Sequence, residues 1–168
     1  MKLIVSDSSP LIYFARAGRL DVLREVYGEV FTSGGVIREV MVEGKPGLSQ
    51  FRDALSKGWL RVEKVKVDFD YAAEGIEKTD AEVICLAKSR GLKLLSNDRA
   101  LVNCARAHGV EGRWLTESLF DAIEKNVLTP QGAEDLLMEL VNSGMRVRSE
   151  VLARVLRSIK SARNSTSR

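Results

Sequence analysis

The sequence predicts an α/β protein: a Rossmann-like, three-layer α/β/α sandwich on a mainly parallel sheet of about five strands, with a helical extension at the C-terminus. Three observations carry this. Short apolar runs rich in β-branched residues recur along the chain, amphipathic helical patterns follow them, and glycine often stands where one gives way to the other. Parallel strands need crossover connections, and the intervening helices supply them. At 168 residues with 45% hydrophobic content, the chain can bury one ordinary core, so a single domain is expected.

Leu3, Ile4 and Val5 form the first run, which stops at Ser6-Asp7. Ser8-Ser9-Pro10 then opens a helix, because proline's missing N–H has no partner in a first turn anyway. Leu11, Phe14 and Ala15 share one face of it, and after Gly18 the pattern resumes with Leu20, Leu23 and Val26, giving two short helices. Gly28 closes the second, and Glu29 to Thr32 is the next strand. Helices are expected over about 36–42 and 48–57, then a strand through Leu60, Val62 and Val65. A helix over 80–90 ends at Gly91, a strand spans 93–95, a helix over 99–108 ends at Gly109, and 112–114 is a last short strand before a helix over 116–125. Beyond Leu128-Thr129-Pro130, two amphipathic helices carry Leu136, Leu137, Leu140 and Val141, then Val151, Leu152, Val155 and Leu156. Residues 161–168 lack apolar content and are expected to be disordered.

The opening apolar run is too short for a secretory signal, and no stretch approaches the roughly 18 apolar residues a membrane span needs. The chain therefore reads as cytoplasmic. Cys85 and Cys104 lie in apolar helical patterns without close pairing, as reduced core residues do. The net charge of +3 divides unevenly. From Arg146 onward there are seven Lys/Arg and one Asp/Glu, so the rest of the chain is net negative.

In open parallel sheets, ligands bind outside the carboxyl ends of the strands. Asp7 follows the first strand there, Asp98 follows the 93–95 strand, Glu39 lies one turn into the helix after the second, and Asp80 starts the helix after the third. Clustered carboxylates repel and are costly to desolvate unless cations neutralise them. Hard oxygen ligands suit Mg²⁺ or Mn²⁺, which retain waters and complete their shells with phosphate. This is the donor set of metal-dependent phosphodiester hydrolysis.

Each acid also has a purely structural explanation. Thr79-Asp80-Ala81-Glu82 fits a capping box, in which Glu82 folds back on the backbone. Asp98 can cap the helix after it, Asp7 can brace a turn, and Glu39 can be a solvated charge. Only their joint placement on one edge favours a shared site. Ser8, Ser96 and Asn97 stand beside the acids and can orient water or phosphate, whereas Ser9 reads as a plain cap before Pro10. His108, the sole histidine, sits where a helix dipole favours it, and no His–His acid/base pair is available. Arg146, Arg148, Arg154, Arg157, Lys160 and Arg163 can contact the phosphates of a polyanion or form a solvated helix face. No stacking motif with interleaved aromatics is visible.

The segments IVSDSSPLIYFARAGRLDVLREVYGEV, VIREVM, TDAEVICLA and LLSNDRAL resemble, in order and spacing, the PIN-domain family, including VapC-type toxin ribonucleases and a subgroup known as predicted nucleic-acid-binding proteins. The likeness is clearest over residues 2–128, which suggests a nuclease domain at 1–128 and a helical extension at 129–160 packed on it. By this resemblance Asp7, Glu39, Asp80 and Asp98 occupy the four acidic positions that hold Mg²⁺ or Mn²⁺ and act in catalysis. Ser8 takes the usual Ser/Thr position. The third motif of the subgroup often carries two Glu residues, which makes Glu82 an accessory ligand candidate. Ser33-Gly34-Gly35 replaces a segment that more often has proline, so the approach of Glu39 is expected to differ.

The resemblance implies an endoribonuclease leaving a 5′-phosphate and a 3′-hydroxyl, a cognate antitoxin and a homodimer. Some PIN domains serve only as binding modules, which is the alternative reading. A phosphatase of the haloacid-dehalogenase type would need Asp-x-Asp after the first strand, where Ser9 stands instead.

Overall fold

The apolar run at the start of the chain becomes the central strand of a five-stranded parallel sheet. In the computed structural model, which describes residues 2–166, the strands are β1 (Ile4–Ser6), β2 (Val30–Ser33), β3 (Leu60–Glu63), β4 (Leu94–Ser96) and β5 (Gly112–Trp114). Their order is β3-β2-β1-β4-β5 and every pairing is parallel. All residues of β1, β2 and β4 are buried, as expected for strands covered on both faces.

Helices α1 (Ser8–Arg16), α2 (Asp21–Tyr27), α3 (Gly34–Val40), α4 (Leu48–Ser56), α5 (Lys78–Arg90), α6 (Arg99–Ala107) and α7 (Leu115–Glu124) connect the strands and follow the last. Helices α8 (Pro130–Asn142) and α9 (Ser149–Thr166) complete the chain. Apolar spacing explains their docking: Phe14, Leu23, Ile84, Leu101 and Leu119 join Val5, Phe31 and Leu94 in one core, which Leu136, Leu140, Val155 and Ile159 extend. Where the α5 pattern ends, Gly91 takes the left-handed conformation (φ 63°) that a side chain would disfavour.

The chain winds outward from β1 to β3 and then returns to place β4 on the other side of β1. The order thus reverses between β1 and β4, and the crevice outside their carboxyl ends is where this architecture binds ligands. At the opposite end of the sheet lies a buried structural cluster. Asp121, 3% exposed, accepts hydrogen bonds from Tyr27 Oη (2.7 Å) and Arg113 Nη2 (2.6 Å).

Helix α9 runs through Thr166, into the segment expected to be disordered from position 161. In this stretch Ser161 Oγ and Ser165 Oγ donate to carbonyls one turn back, and Arg163 Nη1 donates to Gln131 Oε1 of α8 at 3.2 Å. The remainder of that expectation, at 167 and 168, lies outside the described residues. No helix among the described residues is long and apolar enough to cross a membrane.

Candidate active site

Asp7 directly follows β1 and is 5% exposed. It is the N-cap residue of α1, yet its carboxylate makes no capping hydrogen bond to that helix. Instead it points into a serine cradle: Ser96 Oγ donates to Oδ2 at 3.0 Å, Ser9 Oγ approaches Oδ2 at 3.3 Å and Ser8 Oγ approaches Oδ1 at 3.3 Å. The bonds from Ser8 and Ser9, the two residues that follow it, also brace the turn into α1, so the structural role expected for this acid stands beside the ligand role. Burial raises its pKa above the usual carboxylate range, against the lowering pull of the Ser8, Ser96 and Ser9 hydrogen bonds, and the charge of Glu39 raises it further.

Asp80 stands in the first turn of α5, where Oδ2 accepts the Glu77 N–H at 3.1 Å. Desolvation, followed by the charges of Asp7, Asp98 and Glu77, pushes it up to about 6 despite that bond. Asp98 is exposed and caps α6, accepting the Leu101 N–H at 3.1 Å, while its own N–H donates to Ser96 Oγ at 3.0 Å. Glu39 is also exposed and takes a 2.7 Å hydrogen bond from Ser8 Oγ. The fold thus brings all four acids to the carboxyl edge of the sheet, where Asp7 lies in the field of Glu39 and Asp80 in that of Asp7 and Asp98; Asp7 is buried, Asp80 half-buried, and Glu39 and Asp98 stand at the exposed rim.

The cluster is not tight. No three of these carboxylates bring oxygens within 4.8 Å of one another among the described residues. Nor does any of the four form an ion pair with Lys, Arg or His among those residues. A buried carboxylate without a basic partner, ringed by other acids, is unfavourable in the charged form unless a cation joins it. Spread oxygen donors fit a hydrated cation such as Mg²⁺, which keeps several of its waters. The donor set is thus compatible with Mg²⁺ or Mn²⁺.

Two expectations need correction. The capping box at the start of α5 uses Asp80, not Glu82, as the residue that returns to the backbone. Glu82 reaches across to α3, where Oε2 accepts the Gly35 N–H at 3.1 Å. Helix N-termini have N–H groups without partners, so a carboxylate there is favourable. Glycine makes the approach possible: a Cβ on Gly35 would stand 2.5 Å from Glu82 Oε2 and 2.8 Å from Thr79 Oγ1. The departure at Ser33-Gly34-Gly35 is thereby explained, with Ser33 capping α3 through Val36 N–H.

Ser9 is the second correction, since its hydroxyl does more than start a helix. It contacts Asp7 and accepts the Asn97 N–H at 3.2 Å, tying the first turn of α1 to the loop after β4. Its position two residues after the first acid was the available signal. Asn97 Nδ2 in turn donates to the Arg146 carbonyl at 3.1 Å. Sequence reasoning also missed the groove beside the rim. Asn97 and Arg99 line it with Trp114 and Phe120, and the α8–α9 region adds Arg146, Arg148 and Arg154. The aromatic residues that no local motif displayed are supplied by β5 and α7. Arg157, Lys160 and Arg163 do not line this groove.

A parallel sheet with an acid-lined crevice at its switch point defines a Rossmann-like α/β protein with a candidate cation site. The family model described as PIN domain matches residues 3–161. The chain belongs to the PIN-domain family, and so has a nuclease-type fold. Among solved structures it is similar to a PilT N-terminus domain protein from the hyperthermophilic archaeon Sulfolobus solfataricus P2. That likeness has 17% identity and a TM-score of 0.50, covers 73% of this chain and 94% of the other, and bears on the fold alone. None of the curated proteins matches the sequence.

Proposed function

We propose that the protein is a Mg²⁺- or Mn²⁺-dependent endoribonuclease that hydrolyses phosphodiester bonds of single-stranded RNA, with Asp7, Glu39, Asp80 and Asp98 as its cation-binding residues. The observation that carries the reading is the buried Asp7 carboxylate at the β1/β4 switch point, without a basic partner and within the field of Glu39 and Asp80. When bound, such a cation activates water and offsets charge on the phosphate.

The chain's own groups prepare that site. Ser96, the last residue of β4, and Ser9, in the first turn of α1, hold the Asp7 carboxylate from two elements, so its position does not depend on one flexible contact. Ser8 donates to Glu39 and sets the outer carboxylate against α1. Asp98 stays fixed by capping α6 through Oδ1 while the residue remains exposed. Glu82, committed to Gly35, serves chiefly to dock α3 against α5 and is at most an accessory ligand. Arg99, Arg146, Arg148 and Arg154 suit phosphate contacts along the adjoining groove, with Trp114 and Phe120 as surfaces for bases.

The resemblance to toxin ribonucleases extends the proposal to a cognate antitoxin, a homodimer and a cytoplasmic site of action, with 5′-phosphate and 3′-hydroxyl products. A non-cleaving module that binds nucleic acid or protein is the second reading, favoured by the wide spacing of the carboxylates. Incubation of the purified chain with mixed single-stranded RNA, in Mn²⁺ and in chelator, separates the two. Multiple turnovers that require the metal support the nuclease; stoichiometric binding without cleavage leaves the module.

A further inference from the structure

Between β3 and α5 the chain runs from 64 to 77 without regular structure and lies over the C-terminal end of α6. The contact is made by one polar trio. Cys104 and His108 stand four residues apart, one turn along the same face of α6 and its cap. Glu74 comes from the loop opposite. Cys104 Sγ donates to Glu74 Oε2 at 3.0 Å, and His108 Nε2 lies 2.9 and 2.8 Å from Glu74 Oε1 and Oε2. The Phe69 ring packs on the imidazole at a centroid distance of 4.0 Å. Among the described residues, no other trio of Cys, His, Asp or Glu brings ligand atoms within 4.8 Å of one another.

We propose that Glu74, Cys104 and His108 form a second cation site, selective for Zn²⁺ or a similar thiophilic ion, that clips the 64–77 loop to α6. Sulfur, imidazole nitrogen and carboxylate oxygen are the three donor types zinc accepts, whereas the acid crevice offers oxygen alone. Tetrahedral bonds of about 2.0–2.3 Å put neighbouring ligand atoms roughly 3.3–3.5 Å apart. Glu74 stands 2.8–3.0 Å from both partners, and all three ligand atoms lie within 4.8 Å of one another, so an ion entering between them needs Glu74 to withdraw by about half an ångström. Glu74, exposed and on a loop, can do so. Cys104 is 9% exposed, which shields the thiolate, while the open Glu74 side leaves a fourth position for water. Zinc takes the place of the thiol proton, which passes to solvent, so charge and atoms balance.

The consequence is mechanical. The clipped loop leads into α5, whose first turn carries Asp80, and α6 begins directly after Asp98. Zinc at this site therefore fixes the relative position of two elements that frame the acid crevice, without itself touching the crevice acids.

Co²⁺ added to the full chain provides the test, because only thiolate ligation produces a sulfur-to-cobalt charge-transfer band in the near ultraviolet. The expected result is a band that saturates at one Co²⁺ per chain, is erased by Zn²⁺ and persists in excess Mg²⁺. Cys104→Ser should abolish it, and Glu74→Gln should weaken Co²⁺ binding at least tenfold. Because Glu74 is exposed, that second variant guards against a loss of fold in the first. Asp7→Asn should retain the band, which separates this site from the crevice. Absence of a band in the wild type, or a band unchanged in Cys104→Ser or Glu74→Gln, overturns the proposal.

Discussion

Replacing Asp80 by Asn tests whether the crevice carries the electrostatic load its geometry implies. Asp80 is pushed from 3.8 up to about 6 by desolvation and then by Asp7 and Asp98. The folded state thus holds this proton more tightly than the unfolded chain does. Its contribution to stability is therefore full below about 3.8, falls as pH rises toward 6 and stays lost above it. At 1.36 kcal/mol per pKa unit the shift corresponds to about 3 kcal/mol. Asp80 is only half-buried, and solvent screening brings this to about 1–2 kcal/mol. Asn keeps an oxygen to accept the Glu77 N–H, so the capping contact survives while the charge goes. In chelator at pH 7.5, Asp80→Asn should melt roughly 2–8 °C above wild type, and the gap should close below pH 4. Thermal melts monitored by circular dichroism across that range supply the comparison. A variant less stable than wild type at pH 7.5, or a gap independent of pH, would refute the reasoning.

Two further predictions rest on particular contacts. Gly35→Ala should destabilise the fold by about 1–3 kcal/mol, because the new methyl group meets Glu82 and Thr79 and forces α3 from α5. Adding Glu82→Ala to that variant should recover part of the loss in denaturant titrations, whereas strictly additive losses would mean that the two positions do not clash. Neutralising Arg148 and Arg154 together should weaken RNA binding and flatten its salt dependence by about two counterions, since both line the groove beside Asn97. Arg157 and Lys160, exposed but outside the groove, should change the slope less, and equal effects would count against the groove as the RNA track.

Much of the architecture was legible because it follows from local patterning. Apolar runs at Ile4-Val5, Val30-Phe31 and Leu94-Leu95 are too short and too β-branched or flanked by turns to be helices, and the acids at their carboxyl ends mark the binding edge. What escaped were pairings set by tertiary packing. Glu82 fits a local capping box by spacing, yet its partner Gly35 lies on another helix, and Asp80 takes the local role instead. Ser9 resembles any helix cap until β4 brings Asn97 and Ser96 beside it. Trp114 and Phe120 join arginines from beyond α8 only once α7, α8 and α9 have packed, so no interleaved motif existed to find. The helix dipole accounts for His108 in the sequence, but the carboxylate it meets, Glu74, comes from a loop that periodicity does not describe. Loss of apolar residues after Ser161 suggests disorder, whereas composition does not register the contact Arg163 makes with Gln131 of α8.

The most direct test of the central claim is the rate at which Asp7→Asn cleaves single-stranded RNA in Mn²⁺, compared with wild type at equal folded fraction. Asn is isosteric and can still accept hydrogen bonds from Ser96 and Ser9, so the cradle should persist while the charge that holds the cation is gone. The account predicts metal-dependent cleavage by the wild type, with 5′-phosphate and 3′-hydroxyl ends, and a loss of at least a hundredfold, on the order of 3 kcal/mol in barrier, in the variant. Near-wild-type cleavage by a folded Asp7→Asn protein would contradict it.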